Sequence, residues 1–352
     1  MKLERRRVTV RTPGAQDARR HWPERETLLV TLTDAHGRRG VGEASPLPGY
    51  SPDTLAEVET ALDALDTSQL EEALEHPAWA ALAAVAALLP TSLPSARMAL
   101  ETAALDLLGQ RAGASAPVLL GGAVNGTRPL AQLLGPASSD ALAEDADQAV
   151  RGGFRHVKLK LGAVGLLDRE LSGVQAVRDR LGAQVSLRLD ANGALTPDDI
   201  ARAWPTLARI GVELFEEPGV VPAELLGALP LALDESLQGL DEAATTALVH
   251  ERGARCLVLK PMALGGLAHC WRLAECAREL GVGVVVSHSF DGPFAWRASA
   301  ALALALPAGL AHGLAAHGGL AAWRNLSTPV NAGWLETWTQ PGLGLPAELG
   351  LS

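Results

Sequence analysis

The chain has 352 residues, 48% of them hydrophobic and 20% charged, with a formal net charge of -10. That length and apolar content can bury a large core in one domain or two, and the acidic balance argues against broad electrostatic binding to nucleic acid or an anionic membrane. Small molecules are the expected partners, without nucleic acid or membrane, and the composition allows a homo-oligomer.

Taken in chain order, the opening MKLERRRVTVRTPGAQDARRHWPERE contains no apolar signal core, and AWAALAAVAALL stops at Pro90, too short to span a bilayer. A cytoplasmic location is therefore expected. Residues 1–125 alternate extended segments (VTVRT, TLLVTLTD) with the turn DAHGRRG, followed by helical patterns from about 53 to 113. This predicts an α+β domain. From 126 onward short apolar runs recur, each followed by a helical stretch: PLAQLL, HVKLKL, VSLRLD, VELFEE, LPLALDE, CLVLKP, GVVVSH and GLAHGL. Eight strands alternating with helices predict a β/α barrel over 126–325 better than an open doubly wound sheet. No G-x-G-x-x-G or P-loop motif points to a nucleotide fold. Cys256, Cys270 and Cys276 form no C-x-x-C pair and read as buried reduced thiols. The Pro- and Gly-rich tail 326–352, with Trp334 and Trp338, fits neither helix nor barrel strand and is expected to return to the first domain.

Of the 30 Lys plus Arg residues only four are lysines: Lys2, Lys158, Lys160 and Lys260. A chain that otherwise uses arginine, yet keeps lysine inside apolar runs, points to sites that need an amine able to lose its proton. Lys158 and Lys160 alternate on the second predicted strand and so point the same way. Asp190, Glu216, Asp234 and Lys260 end the third to sixth strands, at separations of 30, 26, 18 and 26 residues counted from Lys160. Each step is close to one β/α unit, so these charges converge at the C-terminal mouth of one barrel. Three carboxylates with oxygen-only donors suit a hard cation, Mg²⁺ or Mn²⁺. A metal on a substrate carboxylate would stabilise the enolate formed when a base removes the neighbouring proton, and Lys160 is the expected base. Lys158 and the metal would lower its pKa from about 10.4 toward about 7.

Singly, K-x-K, D-x-N, E-E-P and D-E-S are commonplace, and His288, His312 and His317 read more readily as satisfied polar residues than as catalysts. Two other classes stay open at this level. A Schiff-base aldolase would use one lysine but leave three carboxylates without a purpose, and a non-catalytic barrel would bind metal without proton exchange.

In order and spacing these motifs resemble the enolase superfamily, muconate-lactonising subgroup, and the resemblance covers nearly the whole chain. It rests on VKLKL, LRLDANGALT, LFEEPG, ALDESL and LVLKPMALGG. It implies an α/β fold, a (β/α)7β TIM-like barrel with an N-terminal α+β capping domain. It implies Lys160 and Lys260 as the acid/base pair, Asp190, Glu216 and Asp234 as Mg²⁺ ligands, and Lys158 and Asn192 as their support. Within the superfamily, GVGEASPLPGYSPDTLAEV, PSARMALETAALDLLG, LRLDANGALTP and HGLAAHGGLAAW are similar to the o-succinylbenzoate synthases of menaquinone biosynthesis. That likeness implies syn-dehydration of a hydroxy-cyclohexadiene carboxylate. It also puts Glu43 and Tyr50 of the capping loop, Arg188 ahead of Asp190, and Ser287 after the seventh strand among the substrate-facing or supporting positions. Racemases of N-acylamino acids and cycloisomerases share the same two lysines, and only the capping loop, residues 43 to 52, separates them.

Overall fold

The computed structural model describes residues 1–15, 20–138, 140–323, 326–346 and 349. Residues 347, 348 and 350–352 of the predicted tail lie outside the described residues. The chain opens with an antiparallel sheet of β1 (Lys2–Arg11), β2 (Glu24–Thr33) and β3 (Arg39–Ala44), with β2 in the middle. Glu43 and Ala44, expected to open the capping loop, therefore belong to the third strand of the sheet. Four helices follow: α1 (Leu55–Asp63), α2 (Ser68–Ala73), α3 (Ala78–Ala87) and the long α4 (Pro94–Ala112). β3 lies directly on α4. Its Gly40 and Gly42 are required there, because a Cβ at either would overlap the carbonyl oxygens of Ala103 and Ala99.

After short α5 (Ala116–Leu119) and β4 (Thr127–Pro129), the chain alternates strands and helices. These are β5 (Ala131–Pro136), α6 (Leu142–Arg151), β6 (His156–Lys160), α7 (Leu167–Leu181), β7 (Ser186–Asp190), α8 (Pro197–Ile210), β8 (Leu214–Glu216) and β9 (Leu231–Leu233). Then come α9 (Glu242–Arg252), β10 (Cys256–Leu259), α10 (Pro261–Leu264), α11 (Leu267–Leu280), β11 (Gly283–Val286) and α12 (Pro293–Ala305). Strands β5 to β11 pair in parallel, in sequence order. The eighth predicted run, GLAHGL, makes single parallel bridges instead of a strand, Leu130 to His312 and Ser287 to Gly313. These bridges link the two edges of the curled sheet, so the barrel closes through one short segment. Near the end α13 (Gly318–Ala321) precedes β12 (Val330–Asn331) and β13 (Trp334–Glu336); β12 pairs with β13, and β13 with β4. Asp106 of α4 accepts the Leu343 N–H at 2.8 Å, which docks the tail on the longest helix of the first domain.

Contacts from α3, α4 and β3 help to hold the capping domain on the barrel. Buried Glu101 of α4 accepts the N–H groups of Leu267 and Ala268 at the start of α11, and Trp79 of α3 stacks on Trp271 of α11 at 4.4 Å. Glu43 of β3 accepts from Gly292 at 2.6 Å, Phe294 at 3.2 Å and Ala295 at 3.3 Å, satisfying the orphan donors that open α12. No helix among the described residues is long and apolar enough to cross a membrane.

Candidate active site

Parallel register sets the site. Lys160 lies opposite Asp190, Asp190 opposite Glu216, and Glu216 opposite Ala232, two residues before Asp234. Because side chains alternate along a strand, this register puts the charges of β6 to β9 on the same side at the barrel's C-terminal rim. Asp190, Glu216 and Asp234 are all buried there. Lys158 Nζ reaches Asp190 Oδ2 at 2.8 Å and Glu216 Oε1 at 2.6 Å, while Lys160 Nζ reaches the same Asp190 oxygen at 2.6 Å and Asn192 Oδ1 at 2.9 Å. From the far side Lys260, at the end of β10, pairs with Asp234.

The two neighbouring lysines therefore do not simply repel each other, as the sequence reading supposes. They share one carboxylate oxygen. Burial works to lower the pKa of Lys158, but Asp190 and Glu216 outweigh it and hold Lys158 above its ordinary range. Burial likewise works against charge on Lys260, and Asp234 more than offsets it. Asp190 stays well below the usual carboxylate range because Lys158, Lys160 and Lys260 overcome its burial. Asp234 is pushed well above that range, first by burial and then by Glu235, Glu216 and Asp190, against the pull of Lys260.

The capping loop completes the site. Tyr50 Oη donates to Asp234 Oδ1 at 3.1 Å and accepts from Lys260 Nζ at 3.0 Å, with the ammonium 4.8 Å from the Tyr50 ring centroid. Trp22 Nε1 holds the Pro48 carbonyl at 3.0 Å, and Gln238 donates to the Tyr50 carbonyl at 3.3 Å, so the loop is anchored on both sides. A cavity of about 230 Å³ lies beneath it, lined by Lys158, Lys160, Lys260, Arg188 and Ser287 among others. Arg188 donates to Glu213 and to the Ala311 carbonyl and leaves one buried guanidinium nitrogen without a partner. Ser287 Oγ leans on the Gly313 carbonyl at 3.3 Å. Glu43 is not among the lining residues, because its carboxylate is spent on the α12 start and on Thr27.

Several residues that the sequence reading passed over also contribute. Glu217, in a left-handed conformation with φ 37°, turns away from the mouth and accepts from Asp234 N–H at 2.8 Å and Ser236 N–H at 2.9 Å, which fixes the Asp234 backbone. Glu235 accepts from Asn192 Nδ2 at 2.7 Å, and its other oxygen is buried without a partner. The doublets E-E and D-E were visible in the chain, where strand ends and the resemblance select Glu216 and Asp234, while the partners that Glu217 and Glu235 take follow from the backbone geometry.

As placed, the three carboxylates turn toward lysines rather than one another, and among the described residues no group of three or more His, Cys, Asp or Glu is gathered as a ready metal site. The donor chemistry nevertheless fits a hard cation. Asp190, Glu216 and Asp234 offer only oxygen, and the unpartnered Glu235 oxygen leaves the rim richer in acceptors than its lysines satisfy.

Comparison with known proteins follows the same lines. Residues 141–348 match the family described as Enolase C-terminal domain-like. The chain is 30% identical over 291 residues to muconate cycloisomerase 1-1 of Acinetobacter lwoffii, covering 78% of this chain and 74% of that protein. It is 27% identical over 296 residues to the o-succinylbenzoate synthase of Desulfotalea psychrophila, covering 75% and 79%. The solved dipeptide epimerase of Methylococcus capsulatus, in complex with Mg and the dipeptide L-Arg-D-Lys, superposes with a TM-score of 0.80 at 28% identity, over 97% of this chain and 98% of that one.

Proposed function

We propose a function from one plain premise: the chain belongs to the enolase superfamily, in its muconate-lactonising subgroup, and is an enzyme of that superfamily. Our reading is that it is an o-succinylbenzoate synthase, a hydro-lyase of menaquinone biosynthesis. It would dehydrate 2-succinyl-6-hydroxy-2,4-cyclohexadiene-1-carboxylate to o-succinylbenzoate. The observation that carries this reading is the capping loop, whose Tyr50 reaches both Asp234 and Lys260. The polarity of the cavity supports it. Among the described residues Glu216 is the only acidic side chain lining it, and Glu216 is already engaged by Lys158. A dipeptide, with its free ammonium, would find no uncommitted acid among the lining residues, whereas a substrate ending in acceptors would meet the donors of Arg188 and the lysines.

In this reading Asp190, Glu216 and Asp234 hold Mg²⁺ or Mn²⁺, with Lys158 and Asn192 as supports. When bound, the cation supplies Lewis-acid stabilisation of charge on the substrate carboxylate. Lys160 removes the proton next to that carboxylate and then, as the ammonium, returns it to the departing hydroxyl on the same face. One proton moves, one carbon–oxygen bond breaks, water leaves, and the ring becomes aromatic. Lys260, on the opposite side, steadies the developing negative charge as a cation. An N-acylamino acid racemase or a cycloisomerase is the alternative, since Lys160 and Lys260 flank the cavity from β6 and β10 and could each exchange a proton.

The test is direct. The purified protein with Mg²⁺ should convert the cyclohexadiene substrate to an aromatic product, seen by its ultraviolet absorbance, and exhaustive chelation should abolish this. Racemisation of N-acylamino acids without aromatic product would overturn the assignment in favour of the alternative.

A further inference from the structure

The loop SHSFDGP after β11 and the segment AAHGG after the closing bridge meet over the cavity. They lie opposite β7 and β8 in the ring order of the barrel. There His288 and His317 stack, with centroids 3.7 Å apart and planes 26° from parallel, and both line the cavity. Each ring is fixed by the backbone two residues on. Nδ1 of His288 accepts the Phe290 N–H at 3.0 Å, and Nδ1 of His317 accepts the Gly319 N–H at 3.1 Å. In a neutral imidazole with Nδ1 accepting, the proton sits on Nε2. Both rings therefore offer Nε2–H donors. That of His317 is buried without a partner, and His288 lines the same cavity beside it.

Both rings are held neutral. Burial pushes His317 down to about 3, and burial and then His317 push His288 well below its usual range. The loop is also anchored from outside the barrel, since buried Arg25 of β2 donates to the carbonyls of Ser289, Phe290 and Ser45. Phe290 sits in the left-handed region at φ 56°, a conformation that such an anchor can maintain.

Two fixed donors select an acceptor, since the only acid of this loop, Asp291, is buried against Arg25 and does not line the cavity, and Lys260 and Lys158, which bear electrostatically on His288, favour an anionic one. We propose that His288 and His317 together bind the distal carboxylate of the substrate's acyl arm and so select substrates that carry one. This deepens the function proposed above and rests on its premise that the substrate bears a second carboxylate.

The experiment measures Kd by calorimetry on the full chain, with and without Mg²⁺, for two matched pairs. They are o-succinylbenzoate against 2-butanoylbenzoate, and an N-succinyl against an N-butanoyl amino acid. The carboxylate-ended member should bind about 10- to 100-fold more tightly to the natural chain. In His288→Phe and His317→Phe, which keep a ring but lose the donor, the preference should fall to within about threefold. His288→Gln and His317→Gln, which restore an N–H near Nε2, should keep most of it. Equal binding within both pairs by the natural chain, or an unchanged preference in the Phe variants, would overturn the proposal. So would weakening of both members alike that Gln does not reverse. Histidine-dependent preference in the N-succinyl pair, with no dehydration of the cyclohexadiene, would support this inference while refuting the proposed reaction.

Discussion

Tyr50→Phe removes a single oxygen from the site and leaves the ring that packs on Lys260. That oxygen donates to Asp234 Oδ1 at 3.1 Å and accepts from Lys260 Nζ at 3.0 Å. A hydrogen bond to a charged group contributes about 1.5–3 kcal/mol, and losing two would suggest about twice that. The full sum does not apply, because Lys260 and Asp234 also pair directly and neither is left bare. The expected loss is thus one bond's worth, about 1.5–3 kcal/mol, or roughly 10- to 150-fold in kcat/KM. Steady-state kinetics with saturating Mg²⁺ would measure it, and a thermal melt alongside would show how much of the loss falls on the folded state instead. A change of less than about threefold would refute the view that the capping loop helps organise the site through this hydroxyl. A loss beyond about 10⁴-fold would also refute it, since that magnitude belongs to a group that itself moves a proton.

Lys160→Arg keeps the charge but loses the accessible neutral amine, so kcat should fall by about 10³-fold or more while folding is retained, as circular dichroism would show. Lys260→Arg should be milder in a synthase and equally severe in a two-base racemase, which assays on both substrate types would separate. Glu43→Ala strips the N–H groups of Gly292, Phe294 and Ala295 of their shared acceptor in a fully buried setting. It should cost about 2–4 kcal/mol by the shift of the urea midpoint, and under about 0.5 kcal/mol would show that water replaces the carboxylate. Glu213 gives a pH signature. Burial would raise its pKa, but His156 and Arg188 more than offset this and bring it to about 2. Its folded value is depressed, so its contribution, about 3 kcal/mol, is fully present above its unfolded value near 4.5 and is lost as pH falls through about 2. Glu213→Gln should therefore be less stable than the natural chain at pH 7, with the gap closing between about pH 4.5 and 2 in denaturant titrations.

Much of this architecture was legible in the chain because it rests on local rules. Strand and helix periodicity from 126 onward follows from burial on one face, and the spacing of Lys160, Asp190, Glu216, Asp234 and Lys260 is the length of a β/α unit, so convergence at one rim needed no coordinates. The scarcity of lysine singled out the three that meet there. What the chain could not settle depends on packing between distant segments. Glu43 and Ala44 became part of a strand because Gly40 and Gly42 allow β3 to press onto α4, a fact fixed some 60 residues later in the sequence. The eighth strand shrank to two bridges because register with Leu130 and Ser287, rather than its own apolar run, decides how far it pairs. Glu43 became an anchor for α12 instead of a cavity residue, and Glu217 turned from the rim through one left-handed φ. His288 and His317, 29 positions apart, acquire meaning only when two loops bring their rings into contact. Sequence sets which residues can do chemistry and their order around the barrel; the fold sets which way each one faces, because that depends on neighbours the local pattern does not contain.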